Sequence, residues 1–294
     1  MTYEIEDTLI VINSSNRVDT ICTHKLFPKD IINWVVAVPH DQYEMYEGKF
    51  GREHTYPIPP DVPQYLSSQR QHVMKYFGQA YKYVWLMDDD LTFLKREIKI
   101  EVKKHGTKTK EFKKPVLKKC KEKHIKKMFL EVREHLKKIP VVAISTRLGN
   151  NRVLEDYDET NRVTRCYAMS TKAFKEVGAT FAPFEPFLAQ DFHMALCFLN
   201  AGHNNRILYT YAQSDFGSNA DGGCSTYRNP EIQRRVSKWM EANHNEVSWK
   251  EKKSKSWKGY DAKRLDMNVS WKKAYKEVKK RSEGGLSAYF KKNK

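Results

Sequence analysis

The sequence predicts a layered α/β fold with a largely parallel central sheet. Compact, partly β-branched apolar runs have the continuous hydrophobicity of strands buried on both faces, and stretches of helical spacing alternate with them. Strands interleaved with helices in this way imply a sheet covered by helical layers.

The elements follow in order. "TLIVIN", Thr8 to Asn13, is a first strand that ends in the polar turn "SSNR". "NWVVAVP" reads as a second strand, "YLSSQRQHVMKYF" has helical spacing, and "YVWLM" is a strand again. The alternation in "IKIEV" predicts a hairpin around Gly106. In "PVLKKCKEKHIKKMFLEVREHLKKIP", Leu117, Cys120, Ile125, Met128, Phe129, Val132 and Leu136 form one apolar helical face with lysines over the rest. Strands are expected at "VVAIST", "TRCYAMS" and "RILYTYA". Helices are expected at "TKAFKEVG" and "DFHMALCFLNAG", closed by Gly178 and Gly202.

A chain of 294 residues suits one elaborated α/β domain with appendages. Cys22, Cys120, Cys166, Cys197 and Cys224 include no CxxC pair, which indicates neither a zinc site nor a disulfide framework. No apolar segment approaches the roughly 20 residues that span a bilayer, so a cytoplasmic protein without a membrane partner is expected. The charge of +17 is unevenly placed: residues 95–138 carry 18 basic and 6 acidic side chains, and residues 250–294 carry 16 and 5. The rest of the chain is slightly acidic. Segregated lysines suggest a polyanionic partner, nucleic acid first, although two solvated lysine-rich faces would read the same way.

Asp88, Asp89 and Asp90 stand where the apolar run of "YVWLMDDDL" ends, which in parallel sheets is the ligand-binding edge. Adjacent carboxylates repel, so the cluster calls for a cation or several donors. If the strand continues, Asp88 and Asp90 share one side and can present oxygens to one ion, with Asp89 on the other. Hard oxygen ligands favour Mg²⁺ or Mn²⁺, commonly completed by substrate phosphates. Helix capping is the alternative, and it accounts for one aspartate of the three.

Other residues point to a bound nucleotide. Arg70 occupies the apolar seam of Leu66, Val73 and Phe77, so it needs a phosphate or an internal carboxylate as partner. Ser14, Ser15 and Arg17 follow the first strand, a common place for base or ribose contacts, although Ser and Asn are also ordinary turn residues. The segment "SDFGSNADGGCSTYR" offers Gly217, Gly222 and Gly223 for a mobile loop that brings amides near a phosphate. Asp215 or Asp221 could add a metal ligand there and Arg228 a counter-charge, and a plain glycine-rich connector is the alternative.

In this order, "YVWLMDDDL", the "QDF" helix start and "DGGCSTYR" resemble the TET/JBP-associated glycosyltransferases encoded largely by bacteriophages, a group of GT-A type, over roughly residues 8 to 230. The resemblance implies a three-layer α/β/α, Rossmann-like GT-A fold around one continuous sheet. It also implies transfer of a sugar from a nucleotide-sugar, a UDP-sugar, to a hydroxymethylated pyrimidine in DNA, 5-hydroxymethylcytosine foremost. A phage-encoded chain would act in the host cell cytoplasm. Asp88 and Asp90 match the metal-binding DxD pair, with Mn²⁺ or Mg²⁺ between them and the donor diphosphate. Ser14, Arg17, Arg70, Asp89, Gly222, Gly223 and Arg228 fall at donor-binding positions, and Asp221 at a metal-binding one. Asp191 matches the acidic residue that acts as base on the acceptor hydroxyl in inverting members. His193 is a second candidate base, and capping of the helix start is the other reading of Asp191. Many GT-A enzymes use a histidine in the loop as metal ligand; here none lies between His203 and His244.

The expected organisation is a glycosyltransferase domain over residues 1–235, with a basic insertion at 95–138, and a lysine- and tryptophan-rich extension over 236–294 packed on it. In that extension Trp249, Trp257, Tyr260, Trp271 and Tyr275 alternate with lysines. Such aromatics either stack on unpaired bases or anchor a tail, and anchoring is the expectation. A metal-dependent nuclease or other phosphoryl-transfer enzyme is the rival class, since it too combines clustered aspartates with a basic surface.

Overall fold

The computed structural model describes residues 5–29, 33–105, 108–215, 223–252, 264–276 and 278. The expected strand runs become β1 (Thr8–Asn13), β2 (Trp34–Pro39) and, after helix α1 (Tyr43–Phe50), the short β3 (Thr55–Ile58). Helix α2 (Leu66–Phe77) leads to β4 (Tyr83–Asp88). The basic segment forms a long hairpin, β5 (Thr92–His105) with β6 (Lys108–Lys119), followed by α3 (Glu122–Leu136). Then come β7 (Val141–Thr146), α4 (Arg147–Asn150), β8 (Tyr157–Glu159), β9 (Cys166–Ser170), α5 (Thr171–Glu176), α6 (Gln190–Asn200) and β10 (Asn205–Ser214). Last are α7 (Pro230–Asn243) and the separate hairpin β11 (Val247–Lys252) with β12 (Arg264–Val269).

The first ten strands form one sheet in the order β3-β2-β1-β4-β9-β7-β10-β5-β6, with β8 also on β10. β3, β2, β1 and β4 are mutually parallel, and so are β7 and β10. The sheet is nevertheless mixed, because β9 lies antiparallel between β4 and β7. A strand buried on both faces carries no direction in its composition, which is why the apolar run at 166–170 did not announce this.

Alternation along the strands sorts the core into two layers. Ile10, Ile12, Trp85 and Met87 face one cluster with Tyr46 of α1 and Ile125, Met128, Phe129 and Val132 of α3. Leu9, Val11, Val84 and Leu86 face the other, with Val73 of α2, Phe174 of α5 and Met194 and Phe198 of α6. The result is the expected α/β/α arrangement. One correction concerns α3: its helix begins at Glu122, so Leu117 and Cys120 are not on it. Leu117 is still paired with Arg96 in β6, and Cys120 is buried in the connection, on the same core. Gly178 and Gly202 close α5 and α6 with φ of 62° and 81°, the left-handed geometry that Gly tolerates best.

The boundary expected at residue 235 falls inside α7, whose Val236 and Met240 join Leu196, Leu199 and Val247 in a third apolar cluster. Trp271 and Tyr275 pack against this cluster, and Trp249 Nε1 donates to Glu241 at 2.8 Å. Trp257, Tyr260 and the Gly106 turn lie outside the described residues.

After β1 the chain builds β2 and β3 to one side, then crosses back to lay β4 on the other. The crevice above β1 and β4 is therefore a topological switch point, where such sheets bind ligands. Register places Asn13, the last residue of β1, beside Asp88, the last of β4.

Candidate active site

A cavity of about 810 Å³ opens over these strand ends. Its walls include Ser14, Arg17, Arg70, the three aspartates, Asp191, Asp215, Gly223 and Arg228. The fold thus brings together residues spread over more than two hundred positions. Asp221 and Gly222 lie outside the described residues.

The three carboxylates are held differently from the alternation expected of a continuing strand. β4 stops at Asp88 and the chain turns, so Asp89 and Asp90 both meet Arg17 while Asp88 turns to Arg70. Arg70 Nη2 donates to Asp88 Oδ1 at 2.5 Å, and Nη1 donates to the Tyr167 hydroxyl at 3.2 Å. Arg70 is 2% exposed. Burial opposes its charge, but Tyr167, Asp88 and Asp191 outweigh that and raise its pKa further. Of the two partners foreseen for Arg70, the fold supplies the internal carboxylate.

Arg17 Nη1 donates to Asp89 Oδ1 at 2.9 Å and lies 3.5 Å from Asp90 Oδ2. Ser14 Oγ donates to Asp89 Oδ2 at 2.6 Å and shares a 2.8 Å hydrogen bond with the buried Tyr46 hydroxyl. That hydroxyl also accepts from the Arg17 amide at 3.0 Å. Gly223, at φ 57°, donates its amide to the Ser15 carbonyl at 3.3 Å. A Cβ there would lie 3.7 Å from the Arg17 guanidinium, so the glycine segment covers this arginine closely.

The negative charge is not fully compensated. Burial, then Asp88 and Asp89, push Asp90 up to about 6, and burial also raises Asp88. Asp215 is paired with Arg165 at 2.9 Å. Among the described residues, no group of three or more His, Cys, Asp and Glu side chains could hold a metal ion by itself. The donor set still fits Mg²⁺ or Mn²⁺, which commonly take one or two carboxylates and complete their shell with water and substrate phosphates. Asp90 has the longest ion pair of the three, and Asp88 engages Arg70 through Oδ1.

Asp191 lies on the cavity wall in the first turn of α6, where the helix dipole favours a carboxylate. It is not the N-cap; that position is Ala189. Its Oδ1 accepts from the Phe192 amide at 3.0 Å. His193 points elsewhere. Its Nδ1 lies 2.9 Å from His244 Nε2, its ring packs edge-on to Phe187 and Trp239, and it does not line the cavity. Burial, then His244, lowers its pKa to about 4, as expected of a packed, neutral imidazole.

Several contributors have no local sequence signal. Tyr46 and Tyr167 act from apolar layers, and Tyr227 accepts from the Leu66 amide at 3.3 Å at the start of α2. Ser67 and Ser68 of α2 donate to Glu185. Residues of α7 and β12, including Gln233, Val236, Ser237 and Met267, also line the cavity.

Solved structures similar to this chain include S. aureus TarS 1-349, at 13% identity and TM-score 0.43, with 79% of this chain and 64% of that chain covered. The same protein in complex with UDP matches at 14% and 0.44 with the same coverage. Mannose-1-phosphate geranyltransferase from Thermus thermophilus matches at 10% and 0.39, with 76% and 80% covered. The chain thus spans just under two thirds of the TarS fragment it matches. No curated protein sequence matches it. The model of the TET-Associated Glycosyltransferase family matches residues 8–221, the segment that holds the aspartate cluster, Arg70 and Asp191, and the chain belongs to that family of glycosyltransferases.

Proposed function

We propose that the protein transfers a sugar from a UDP-sugar to the hydroxyl of a 5-hydroxymethylpyrimidine in DNA, 5-hydroxymethylcytosine foremost, with Asp191 as general base. The observation that carries this is the convergence of Asp88, Asp89 and Asp90, the cationic Arg17 and Arg70, and the acid Asp191 on one cavity. The family match supplies the reaction class; the hydroxymethylated DNA acceptor and the uridine donor are our reading of the resemblance to its phage members.

In this reaction the acceptor oxygen attacks the anomeric carbon, the bond from that carbon to the phosphate oxygen breaks, and the hydroxyl proton must leave. Asp191 receives the proton; an ionised carboxylate within hydrogen-bond reach meets that need. The leaving nucleoside diphosphate departs with the bonding pair. Mn²⁺ or Mg²⁺ held by Asp88 and Asp90 would neutralise charge on that diphosphate. Arg70 orients Asp88 and opposes the effect of burial on its charge, while Ser14 and Tyr46 fix Arg17 and Asp89 at the mouth of β1. Arg228 and Gly223 stand on the loop side of the same cavity.

The test is a donor panel incubated with Mn²⁺ and duplex DNA containing 5-hydroxymethylcytosine, read as a mass increase of one sugar on the modified base. Transfer only to modified DNA, abolished by chelation, is the expected result. Equal transfer to unmodified DNA or to protein would overturn the acceptor assignment. Metal-dependent release of nucleotides from DNA without a donor would select a nuclease instead.

A further inference from the structure

The β5–β6 hairpin is not used by the chemistry above. β10 pairs with β5 only from Thr92 to Lys95, whereas the β5–β6 pairing continues to His105 and Lys108. From Glu97 to His105, nine residues of β5 therefore have β6 as their ladder partner, a two-stranded ribbon of roughly 30 Å at about 3.3 Å per residue. Its root lies at the site. Thr92 pairs with Ser214, next to the cavity residue Asp215, and follows Asp90 by two positions.

The ribbon has two unlike faces. On one, Ile98, Ile100 and Val102 are 42%, 63% and 57% exposed. Opposite them across the ladder stand Pro115, Lys113 and Glu111. The other face carries Lys99 opposite Lys114, with Lys114 and Lys118 paired to Glu101 and Glu97 at 2.9 and 2.6 Å. Residues 92–119 hold eleven basic and three acidic side chains, a net +8. Like charges opposite one another weaken a ladder, and an external anion would offset the excess that Glu97 and Glu101 leave.

Two occupants can be weighed from these features. A second copy adding a strand to β6 would meet an edge bearing Pro115 and four exposed lysines, the composition that blocks edge pairing. A duplex offers the complementary charge. The major groove is about 12 Å wide and admits a two-stranded ribbon, and 30 Å is close to one turn of B-DNA. The apolar row Ile98, Ile100 and Val102, with Lys113 beside it on the same face, matches a groove floor with thymine methyl groups between two phosphate rows.

We propose that the β5–β6 ribbon is a DNA-binding arm that lies in the major groove of the duplex beside the base being modified, with Lys99, Lys113 and Lys119 on phosphates and Ile98 and Ile100 against the groove floor. The proposal rests on the DNA-acceptor reading for its partner, and it adds a surface that holds the duplex independently of the cavity.

The test uses the full chain and two variants, one with Lys99, Lys113 and Lys119 changed to Ala and one with Ile98→Ser and Ile100→Ser. All five side chains are solvent-accessible, so both variants should fold, which circular dichroism and melting will verify. Removing three phosphate contacts should raise the KM for duplex acceptor roughly 10- to 100-fold at physiological salt. It should also make the slope of log affinity against log salt shallower by about 2.7. The isoleucine variant should weaken duplex binding with the slope unchanged. Wild-type protein should protect guanine N7, a major-groove atom, from methylation, and both variants should protect it less. Donor hydrolysis and transfer to a free hydroxymethylated nucleotide should stay at wild-type rates.

Unchanged duplex KM and salt slope in both variants, or protection confined to the minor groove, would overturn the arm. So would isoleucine-dependent binding to phosphatidylserine vesicles without any binding to duplex. If wild-type protein modifies no hydroxymethylated pyrimidine, free or in DNA, the acceptor reading fails separately, and duplex binding and the methylation footprint still decide the arm.

Discussion

Asp88 and Asp90 should respond to the same substitution in opposite ways. Asp88→Asn removes the negative charge that faces a guanidinium 2% exposed, leaving Arg70 with neutral partners, the substituted amide oxygen and the Tyr167 hydroxyl. Breaking a buried pair by deleting one member costs about 3–5 kcal/mol, because the other charge stays buried. The Asp88 side chain is 29% exposed, so water relieves part of this and the low end, about 3 kcal/mol, applies. In a chain of this size class 1 kcal/mol moves Tm by roughly 2–4 °C, so a fall of about 6–12 °C is expected. Asp90→Asn removes one of three mutually repelling carboxylates and should leave the metal-free Tm unchanged or higher. Combining Asp88→Asn with Arg70→Met should recover most of the loss, since an apolar replacement of a buried pair is often neutral. The assay is differential scanning calorimetry with chelator present, alongside calorimetric titration of UDP-sugar with Mn²⁺. Both single variants should lose donor affinity, while only Asp88→Asn loses stability. A melting temperature unaffected by Asp88→Asn, or a double variant no better than the single one, would refute the view that Arg70 depends on this carboxylate.

Asp191→Asn keeps shape and removes basicity, so donor affinity should persist and transfer should fall by at least the roughly 10²-fold of general-base loss; near-normal turnover would eliminate the assignment. Tyr46→Phe deletes the hydroxyl that accepts from the Arg17 amide and bonds to Ser14, which should cost about 1–2 kcal/mol in urea melts and raise the donor KM; loss of neither would mean that Asp89 and Asp90 alone place Arg17. His193 provides the pH test. Its folded pKa of about 4 lies below the ordinary 6.5, so protons bind the unfolded chain more readily, and stability falls as pH drops through 6.5 towards 4. The loss amounts to roughly 2–3 kcal/mol by pH 4.5, and His193→Gln should flatten that part of the pH profile.

How far the chain could be read in advance depended on the range of the contacts involved. Runs such as Thr8–Asn13 and Tyr83–Met87 carry their burial in every residue, so composition within six positions sufficed to find them. The seam of α2 exposed Arg70 as an inward cation in the same way, because helical spacing is a local property. The partner of that arginine is not local: Tyr167 is 97 positions away, and Asp89 is 75 positions from Ser14. The alternation argument for Asp88 and Asp90 failed at the strand end, because period two holds only while the backbone stays extended. There the turn redirected Asp89 and Asp90 to one guanidinium. His193 illustrates the converse. A histidine next to an acidic helix start has the composition of a catalytic pair, but at helical spacing it points about 200° from Asp191, towards α7 and His244. Periodicity therefore assigns a residue to a face, and the topology of β1, β4 and α6 decides which face becomes the site. In this chain that decision left Asp191 in one cavity with Arg70 and Asp88, a charge pair whose carboxylate serves both the stability of the fold and the proposed donor site.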